Sequence, residues 1–149
     1  MLYGKSGVVD KIDDILPDTS KKSTIAERIE KGEISTKLNK WKQRKHIEGT
    51  NEFRTYKEGR NKKGHTYQSI LTIDDNQTQK LINIFSGKGE PKKVKNNTSV
   101  NVEYVDADVV VGKYYSNGQY HDTKRFAIHY GKDGAHIIPV DPKGVFDDE

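Results

Sequence analysis

The chain reads T-K-R-F-A-I-H-Y-G-K-D-G-A-H-I-I-P over residues 123–139, and this stretch gives the clearest indication of a fold. Phe126, Ile128 and Tyr130 recur at the two-residue period of a strand with one buried face. Residues 131–134, G-K-D-G, have the composition of a turn, and an apolar segment follows them. The stretch therefore predicts a β-hairpin.

The two histidines of this predicted hairpin, His129 and His136, lie on opposite strands. If residues 131–134 form a four-residue loop, the two histidines face each other with Cβ atoms roughly 4.5–5.5 Å apart. If the loop is only Asp133-Gly134, they lie diagonally on the same face, whereas a three-residue loop separates them. Any even loop length therefore places both imidazoles on one side of the hairpin.

Thr123 and Arg125 share this face with His129, because all three positions have the same parity along the strand. Two imidazoles, a guanidinium and a hydroxyl together suggest a site that binds a phosphate and transfers a proton. Solvated histidines on a half-exposed strand are the alternative. Zinc is a further alternative, with His46 as a third ligand, but the chain lacks cysteine and tight His-x-His spacing, so we expect no metal.

The composition of the chain limits its class. A length of 149 residues suits one domain. The apolar and charged fractions are both 32%, which predicts a small core together with exposed or disordered segments. The absence of cysteine excludes disulfide and thiol chemistry. No apolar run approaches the roughly 18 residues of a membrane span, and the first residues do not open a signal peptide.

Positive charge is concentrated in the middle of the chain, whose net charge is +4. Residues 40–64 carry nine lysines and arginines against three glutamates, a local excess of six positive charges. Residues 1–20 carry four aspartates against two lysines, and residues 147–149 are all acidic. A basic middle between acidic ends favours an RNA or DNA partner, with simple solvation of the lysines as the alternative.

The first half of the chain predicts helices after a polar tail over residues 1–22. A second predicted helix, the longest of them, carries Lys42 and His46 on one side, because they are four residues apart. The predicted elements are a helix from a Ser23 cap to Gly32, a helix from Ile34 to about residue 46, a short helix after Thr50 and a basic loop over residues 57–66.

The second half predicts strands around one helix. Asp74 and Gln77 have the spacing of a capping box, and Asn117-Gly118 is a strong hairpin signal. The predicted strands are Tyr67–Ile73, Val100–Tyr104, Asp108–Tyr115, Tyr120–Tyr130 and the segment after Gly134.

These elements predict an α+β domain with N-terminal helices packed on one face of a four- or five-stranded antiparallel sheet. We expect the other face, with the histidines, to form an open cleft. The predicted boundaries are a polar tail or linker with a short helix over residues 1–33 and the domain over residues 34–149.

Four motifs of the chain resemble the polymorphic-toxin type-50 domain, which is a predicted ribonuclease domain of bacterial toxins and phage minor head proteins. The most specific motif is Thr-x-x-Phe-x-Ile-His-Tyr-x-x-x-Gly-x-His-Ile-x-Pro at residues 123–139. The other three are Lys-His-Ile-x-Gly-Thr at 45–50, Tyr-x-Ser-Ile-Leu at 67–71 and Ser-Gly-x-Gly at 86–89. The resemblance runs from about residue 34 to 142.

The family is placed among the barnase, colicin and RelE-like ribonucleases, which are independent of metal ions. The resemblance therefore implies RNA as partner, no cofactor, a cognate immunity protein, and action in the bacterial cytoplasm after delivery by a secreted toxin or a phage particle. Gly131 and Ala135 stand where the family pattern has a serine and a threonine. The implied site residues are His46, Ser69, Thr123, His129 and His136.

RNA cleavage without a metal requires a base for the 2′-hydroxyl proton, an acid for the leaving 5′-oxygen, and cations on the phosphate. Histidine suits both proton transfers. We expect His129 and His46 in these roles, with His136 orienting the phosphate or replacing either. Arg125 with Lys42 or Lys45 would bind the phosphate. Ser69 and Thr123 are either donors to phosphate oxygens or ordinary polar strand residues.

Two expectations concern partners. Trp41, Phe53 and Tyr56 could stack on bases, but their helical spacing favours packing in the core. The alternative to an endoribonuclease is a non-catalytic nucleic-acid-binding or virion module of the same fold, and we expect a monomer in either case.

Overall fold

The structure of the chain, a computed structural model, describes residues 24–65, 67–95 and 99–143. The predicted tail over residues 1–22, the predicted cap at Ser23 and the acidic residues 147–149 lie outside these ranges. Within them the chain forms four α-helices and one 3₁₀ turn: α1 Ile25–Glu30, α2 Lys40–Gln43, the 3₁₀ turn Arg44–His46, α3 Asn51–Lys62 and α4 Asp75–Phe85.

The same residues form seven strands in two antiparallel sheets, so the α+β class is confirmed. One sheet has the order β1-β4-β5 and the other the order β2-β3-β6-β7. The strands are β1 Ile70–Leu71, β2 Glu90–Pro91, β3 Val102–Asp106, β4 Gly112–Ser116, β5 Gln119–Thr123, β6 Arg125–Gly131 and β7 Gly134–Pro139.

The expectation of a single sheet is wrong because the predicted strand Tyr120–Tyr130 breaks at Lys124. β5 joins the three-stranded sheet and β6 joins the four-stranded sheet. The Thr123 hydroxyl accepts a hydrogen bond from Arg125 N at 3.1 Å and donates one to Val140 O at 2.8 Å. These bonds between a side chain and the backbone replace ladder bonds at the break, a competition for which threonine is well suited.

The β6–β7 hairpin has the register expected for a loop of residues 131–134. His129 pairs with His136, and Gly131 pairs with Gly134 at the end of the ladder. Gly134 has φ +139°, and a Cβ atom there would lie 2.7 Å from Lys37 O. Only glycine therefore fits at the point where the preceding chain crosses the hairpin tip.

The predicted helix over residues 34–46 is wrong in its first half. Ser35 N donates to Gly131 O, Ala135 N donates to Lys37 O, and Asn39 N donates to Ala135 O, at 2.8–2.9 Å. This segment is extended along the hairpin, because backbone pairing satisfies its polar groups there. The helix α2 begins only after Asn39, whose side chain accepts from Lys42 N.

Other boundaries also differ from the predictions. α1 begins after Thr24, one residue later than predicted. α3 begins after Thr50, as predicted, but it continues to Lys62, through much of the predicted basic loop. The predicted strand Tyr67–Ile73 shortens to β1. Two local predictions are confirmed: the Asp74–Gln77 capping box and the turn at Asn117-Gly118, with φ values of 52° and 84°.

The hydrophobic core contains one side of the β6–β7 hairpin. Phe126 and Ile128 of β6 are completely buried, with Ile82 of α4 in the same cluster. Ile25 of α1 also belongs to this cluster, although the predicted boundary placed it in the tail; that boundary stays a prediction.

A second, smaller cluster packs on the other side of the hairpin, around Ala127, Ile138 and Tyr104. The expectation of an open cleft over that whole face is therefore wrong. At one end of this face His129 and His136 line a depression of about 190 Å³.

Candidate active site

His129 and His136 of the β6–β7 hairpin form a row with His46 of the distant 3₁₀ turn. The ring centroids of His129 and His136 are 5.2 Å apart, with the planes inclined at 42°. The ring of His46 stacks on the other side of His136, with centroids 6.3 Å apart and planes at 19°. The structure thus brings together the three imidazoles that the sequence predicted as the centre of the site.

His46 is held rigidly at the buried end of the row. Its side chain is fully buried, and its Nδ1 lies 3.0 Å from Ser69 O. Its ring also packs edge-to-face against Tyr56, with centroids 5.6 Å apart. Because a carbonyl can only accept, Nδ1 is the donor in this contact. Ser69, predicted as a hydroxyl donor, contributes its backbone carbonyl to this contact.

Solvent exposure increases along the row. His46 is 0% exposed and His136 is 6% exposed, whereas His129 is half-buried. A ligand therefore reaches the row from the His129 side.

A shallow depression of about 190 Å³ opens at this exposed end. Lys42 and Lys45 reach it from the helical segment, as the sequence predicted. A Cβ atom on Gly131 would lie only 3.7 Å from Lys42 Nζ, so this ammonium stands directly over the hairpin tip. Two lysines beside two imidazoles are the kinds of cation and titratable group that a phosphate-binding, proton-transferring site requires. The lining residues are Lys42, Lys45, His129, Tyr130, Gly131, Gly134 and His136.

Gln43, which no sequence motif indicated, positions the helical side of the depression. Its side chain is fully buried. Its Nε2 donates to Ile137 O at 2.8 Å, and its Oε1 accepts from Ile137 N at 2.7 Å. The amide thus pairs with β7 as another strand would, next to His136. The sequence shows an amide side chain beside a basic helical turn, but this pattern does not reveal that the amide pairs with β7.

Two predicted site residues lie elsewhere. The Thr123 hydroxyl is buried in its bonds at the strand break. Arg125 forms ion pairs with Asp106 at 2.8 Å and with Glu90 at 3.0 Å. It is four residues from His129 along β6, about 13 Å at the rise of a strand. The structure therefore does not bring either side chain to the depression.

The two departures from the family pattern fall on opposite faces of the hairpin. Gly131 lines the depression, so a serine there would add a hydroxyl beside Lys42. Ala135 is completely buried within the hydrophobic core. A threonine at position 135 would therefore point away from the histidines, because adjacent strand residues face opposite sides.

The prediction that Trp41 packs in the core, which was based on helical spacing, is wrong. Its side chain is 67% exposed, whereas Phe53 is buried and Tyr56 is half-buried. The predicted stripe assumed a helix from Ile34 onward, and that segment is extended.

Across the described ranges, no group of three or more His, Asp or Glu side chains is placed to hold a metal ion. The zinc alternative therefore gains no support from the geometry. In the same residues no helix is long and apolar enough to cross a membrane.

The comparison with protein families gives the class of the molecule. Residues 38–139 match the family described as bacterial toxin 50, which is 102 of the 149 residues. The matched region includes the whole row of histidines and both lysines of the depression. The chain therefore belongs to the bacterial toxin 50 family and contains a bacterial toxin domain. No curated protein and no solved structure matches the chain.

Proposed function

We propose that the domain is a metal-independent endoribonuclease that cleaves RNA by transesterification. The observation that carries this proposal is the row of imidazoles that ends in a depression with two lysines. In this reaction the 2′-oxygen attacks the adjacent phosphorus. The products are a 2′,3′-cyclic phosphate and a free 5′-hydroxyl.

We assign the two proton transfers to His129 and His136, which both line the depression. One neutral imidazole accepts the 2′-hydroxyl proton as the new O–P bond forms. The other, as an imidazolium, donates a proton to the 5′-oxygen as its bond to phosphorus breaks. Lys42 and Lys45 stabilise the negative charge that develops on the non-bridging oxygens.

His46 has a different role in this proposal from the one predicted from the sequence. Its side chain is fully buried and does not line the depression. Its stack on His136 and its bond to the Ser69 carbonyl instead orient the neighbouring imidazole. We therefore treat His46 as a positioning residue.

Cleavage of a single-stranded RNA oligonucleotide by the purified chain, in excess chelator, tests the proposal. We expect cleavage with a cyclic phosphate product, and no cleavage when a deoxynucleotide replaces the nucleotide at the scissile position. His129→Ala should lower the rate by about 100-fold or more. Its stability should change by only about 0.5 kcal/mol, because the side chain is half-exposed.

The matched control is His121→Ala. His121 is also half-buried on a strand, but it lies in the other sheet with its Nε2 3.1 Å from Ser116 O. This variant should retain activity. Loss of all cleavage in chelator, or equal cleavage by the His129→Ala variant, would contradict the mechanism.

The same proposal places the domain in the bacterial cytoplasm, after delivery by a secreted toxin or a phage particle. Expression of the native chain in a bacterium should arrest growth, while the His129→Ala variant should be tolerated. Growth arrest also creates the need for a cognate immunity protein in the producing cell.

Gly131 favours a second candidate function, a non-catalytic nucleic-acid-binding or virion module. It leaves the depression without the hydroxyl that the family pattern has beside Lys42. A module of this kind would bind RNA with strong salt dependence but would neither cleave it over hours nor arrest growth.

A further inference from the structure

A larger groove of about 490 Å³ lies next to the histidine depression. Trp41 of α2 forms one wall, and one face of α3 forms the other. Lys45 lines both the groove and the depression, so a single ligand can extend from one into the other. The residues that line the groove include Trp41, Lys45, Tyr56, Gly59, Arg60 and Lys63.

The groove combines aromatic rings with positive charge. Trp41 is 67% exposed, an unusual exposure for the largest apolar side chain. Lys45 Nζ lies 5.2 Å from the centroid of the Tyr56 ring, and Arg60 Cζ lies 5.6 Å from it. With Lys63, three cations line the groove against the single carboxylate of Glu52. The groove is therefore complementary to a ligand that is both planar and anionic.

Gly59 keeps the helical wall of the groove flat. It lies in the middle of α3, where glycine is a poor helix former. A Cβ atom there would contact nothing within 4 Å, so the packing of the chain does not require glycine. The missing side chain leaves room for a flat ligand between the helix and Trp41.

We propose that this groove binds a nucleobase of single-stranded RNA, stacked on Trp41, while Lys45 and Lys63 contact the flanking phosphates. Stacking on an aromatic side chain accepts any base, because every base has a π face. The flanking phosphate at Lys45 then lies in the histidine depression, because Lys45 lines both the groove and the depression. The identity of the ligand rests on the proposed ribonuclease function, but its binding does not require that the chain cleaves RNA.

Trp41 is the only tryptophan of the chain, so its fluorescence reports directly on the groove. The probe is a 2′-O-methyl oligonucleotide of about eight nucleotides, which lacks the free hydroxyl needed for transesterification. We expect it to quench the Trp41 emission on binding. Inorganic polyphosphate, which has the charge but no base, should bind without this quenching.

Variants measure the contribution of the stack. With a labelled oligonucleotide and anisotropy as the readout, Trp41→Ala should weaken binding roughly ten-fold or more, and Trp41→Phe should retain most of the affinity. Ile84→Ala is the matched control, because Ile84 is also a large exposed apolar side chain but does not line the groove. It should bind like the native chain.

The outcomes separate this inference from the proposed function. If the native chain cleaves RNA but the oligonucleotide does not quench Trp41, the base-binding groove is overturned and the ribonuclease proposal stands. The same holds if the native chain cleaves RNA and the Trp41→Ala variant binds the oligonucleotide with native affinity. A different result would be quenching of the native chain and weaker binding by the Trp41→Ala variant, but no RNA cleavage by the native chain. That result would support the base-binding groove and overturn the proposed ribonuclease function.

Discussion

At the scale of single residues, the buried carboxylate of Glu103 explains a motif that has no role at the histidines. Glu103 is 1% exposed, and its oxygens accept hydrogen bonds from Gly87 N at 2.8 Å and from Gly89 N at 2.7 Å. The Tyr130 hydroxyl donates to the same carboxylate. A buried charge is tolerated only with such partners. The Ser-Gly-x-Gly motif therefore binds a side chain of its own chain.

Tyr130→Phe should change how stability depends on pH. Burial and the hydrogen bond to Glu103 raise the pKa of the Tyr130 hydroxyl above its ordinary value near 10. A raised pKa stabilises the folded state below pH 10, and this stability is lost as the pH rises further. Near pH 8 the variant should be less stable by about 1–3 kcal/mol, because the carboxylate loses a donor.

Above pH 10 the difference between the native chain and the Tyr130→Phe variant should narrow by about 1.4 kcal/mol per pH unit. Urea unfolding of both proteins at pH 8, 10 and 11 measures this difference, and the other titrating groups cancel in the comparison. A gap that stays constant over this range would show that the Tyr130 proton does not stabilise the fold.

At the scale of elements, local signals in the sequence predicted the structure well. The Asp74–Gln77 capping box and the Asn117-Gly118 turn were confirmed, because both depend on residues within one turn of chain. The alternation of side chains predicted that His129 and His136 share one face of the β6–β7 hairpin for any even loop length, but it left the register itself open. The structure has the direct His129–His136 pair, which was one of these alternatives.

The predictions were wrong where backbone pairing with a distant part of the chain determines the local structure. The apolar spacing of Ile34 and Leu38 fits a helix, but this segment pairs with residues 131 and 135 of the hairpin instead. That pairing, and the amide of Gln43 on β7, bring His46 to His136. The sequence supplied these residues as candidates, but a contact between positions about 90 residues apart has no local signature.

Alanine in place of two glycines should have opposite effects on stability. A Cβ atom on Gly112 of β4 would lie 2.2 Å from Ile70 O and 2.5 Å from Pro139 Cγ, where the two sheets meet. Gly112→Ala should therefore cost about 1–3 kcal/mol through overpacking. Gly59→Ala should instead stabilise the fold by about 0.4–1 kcal/mol, because its Cβ meets open space in a helix.

Thermal and urea unfolding of the two variants beside the native chain tests this pair. Gly112→Ala with native stability would mean that the junction between the sheets can move apart without cost. A destabilised Gly59→Ala variant would show that the α3 backbone is not free to take an ordinary helix former.

At the scale of the whole molecule, the positive stretch over residues 40–64 coincides with both concavities. Lys42 and Lys45, near the start of this stretch, and Arg60 and Lys63, near its end, line the depression or the groove. These four cations therefore line adjoining surfaces, because Lys45 belongs to both the groove and the depression. Such a field attracts a polyanion and orients it toward the depression.

Removal of one of these charges should reduce the salt dependence of RNA binding. Each cation that contacts a phosphate contributes about −0.7 to the slope of log K against log salt for a single strand. Lys42→Ala should therefore make the slope of binding to the 2′-O-methyl oligonucleotide shallower by about 0.7. Lys113→Ala is the control, because Lys113 lies in the other sheet and pairs with Asp122 at 2.8 Å.

The two slopes decide whether the depression is a phosphate site, independently of any chemistry. If Lys42→Ala and Lys113→Ala both keep the native slope, no phosphate contacts Lys42, and the histidines beside it are not placed at the backbone of RNA. If only Lys42→Ala changes the slope, the phosphate lies within reach of the His129 and His136 imidazoles, because all three side chains line the same 190 Å³ depression. The measurement needs no cleavage and therefore also applies to a non-catalytic module.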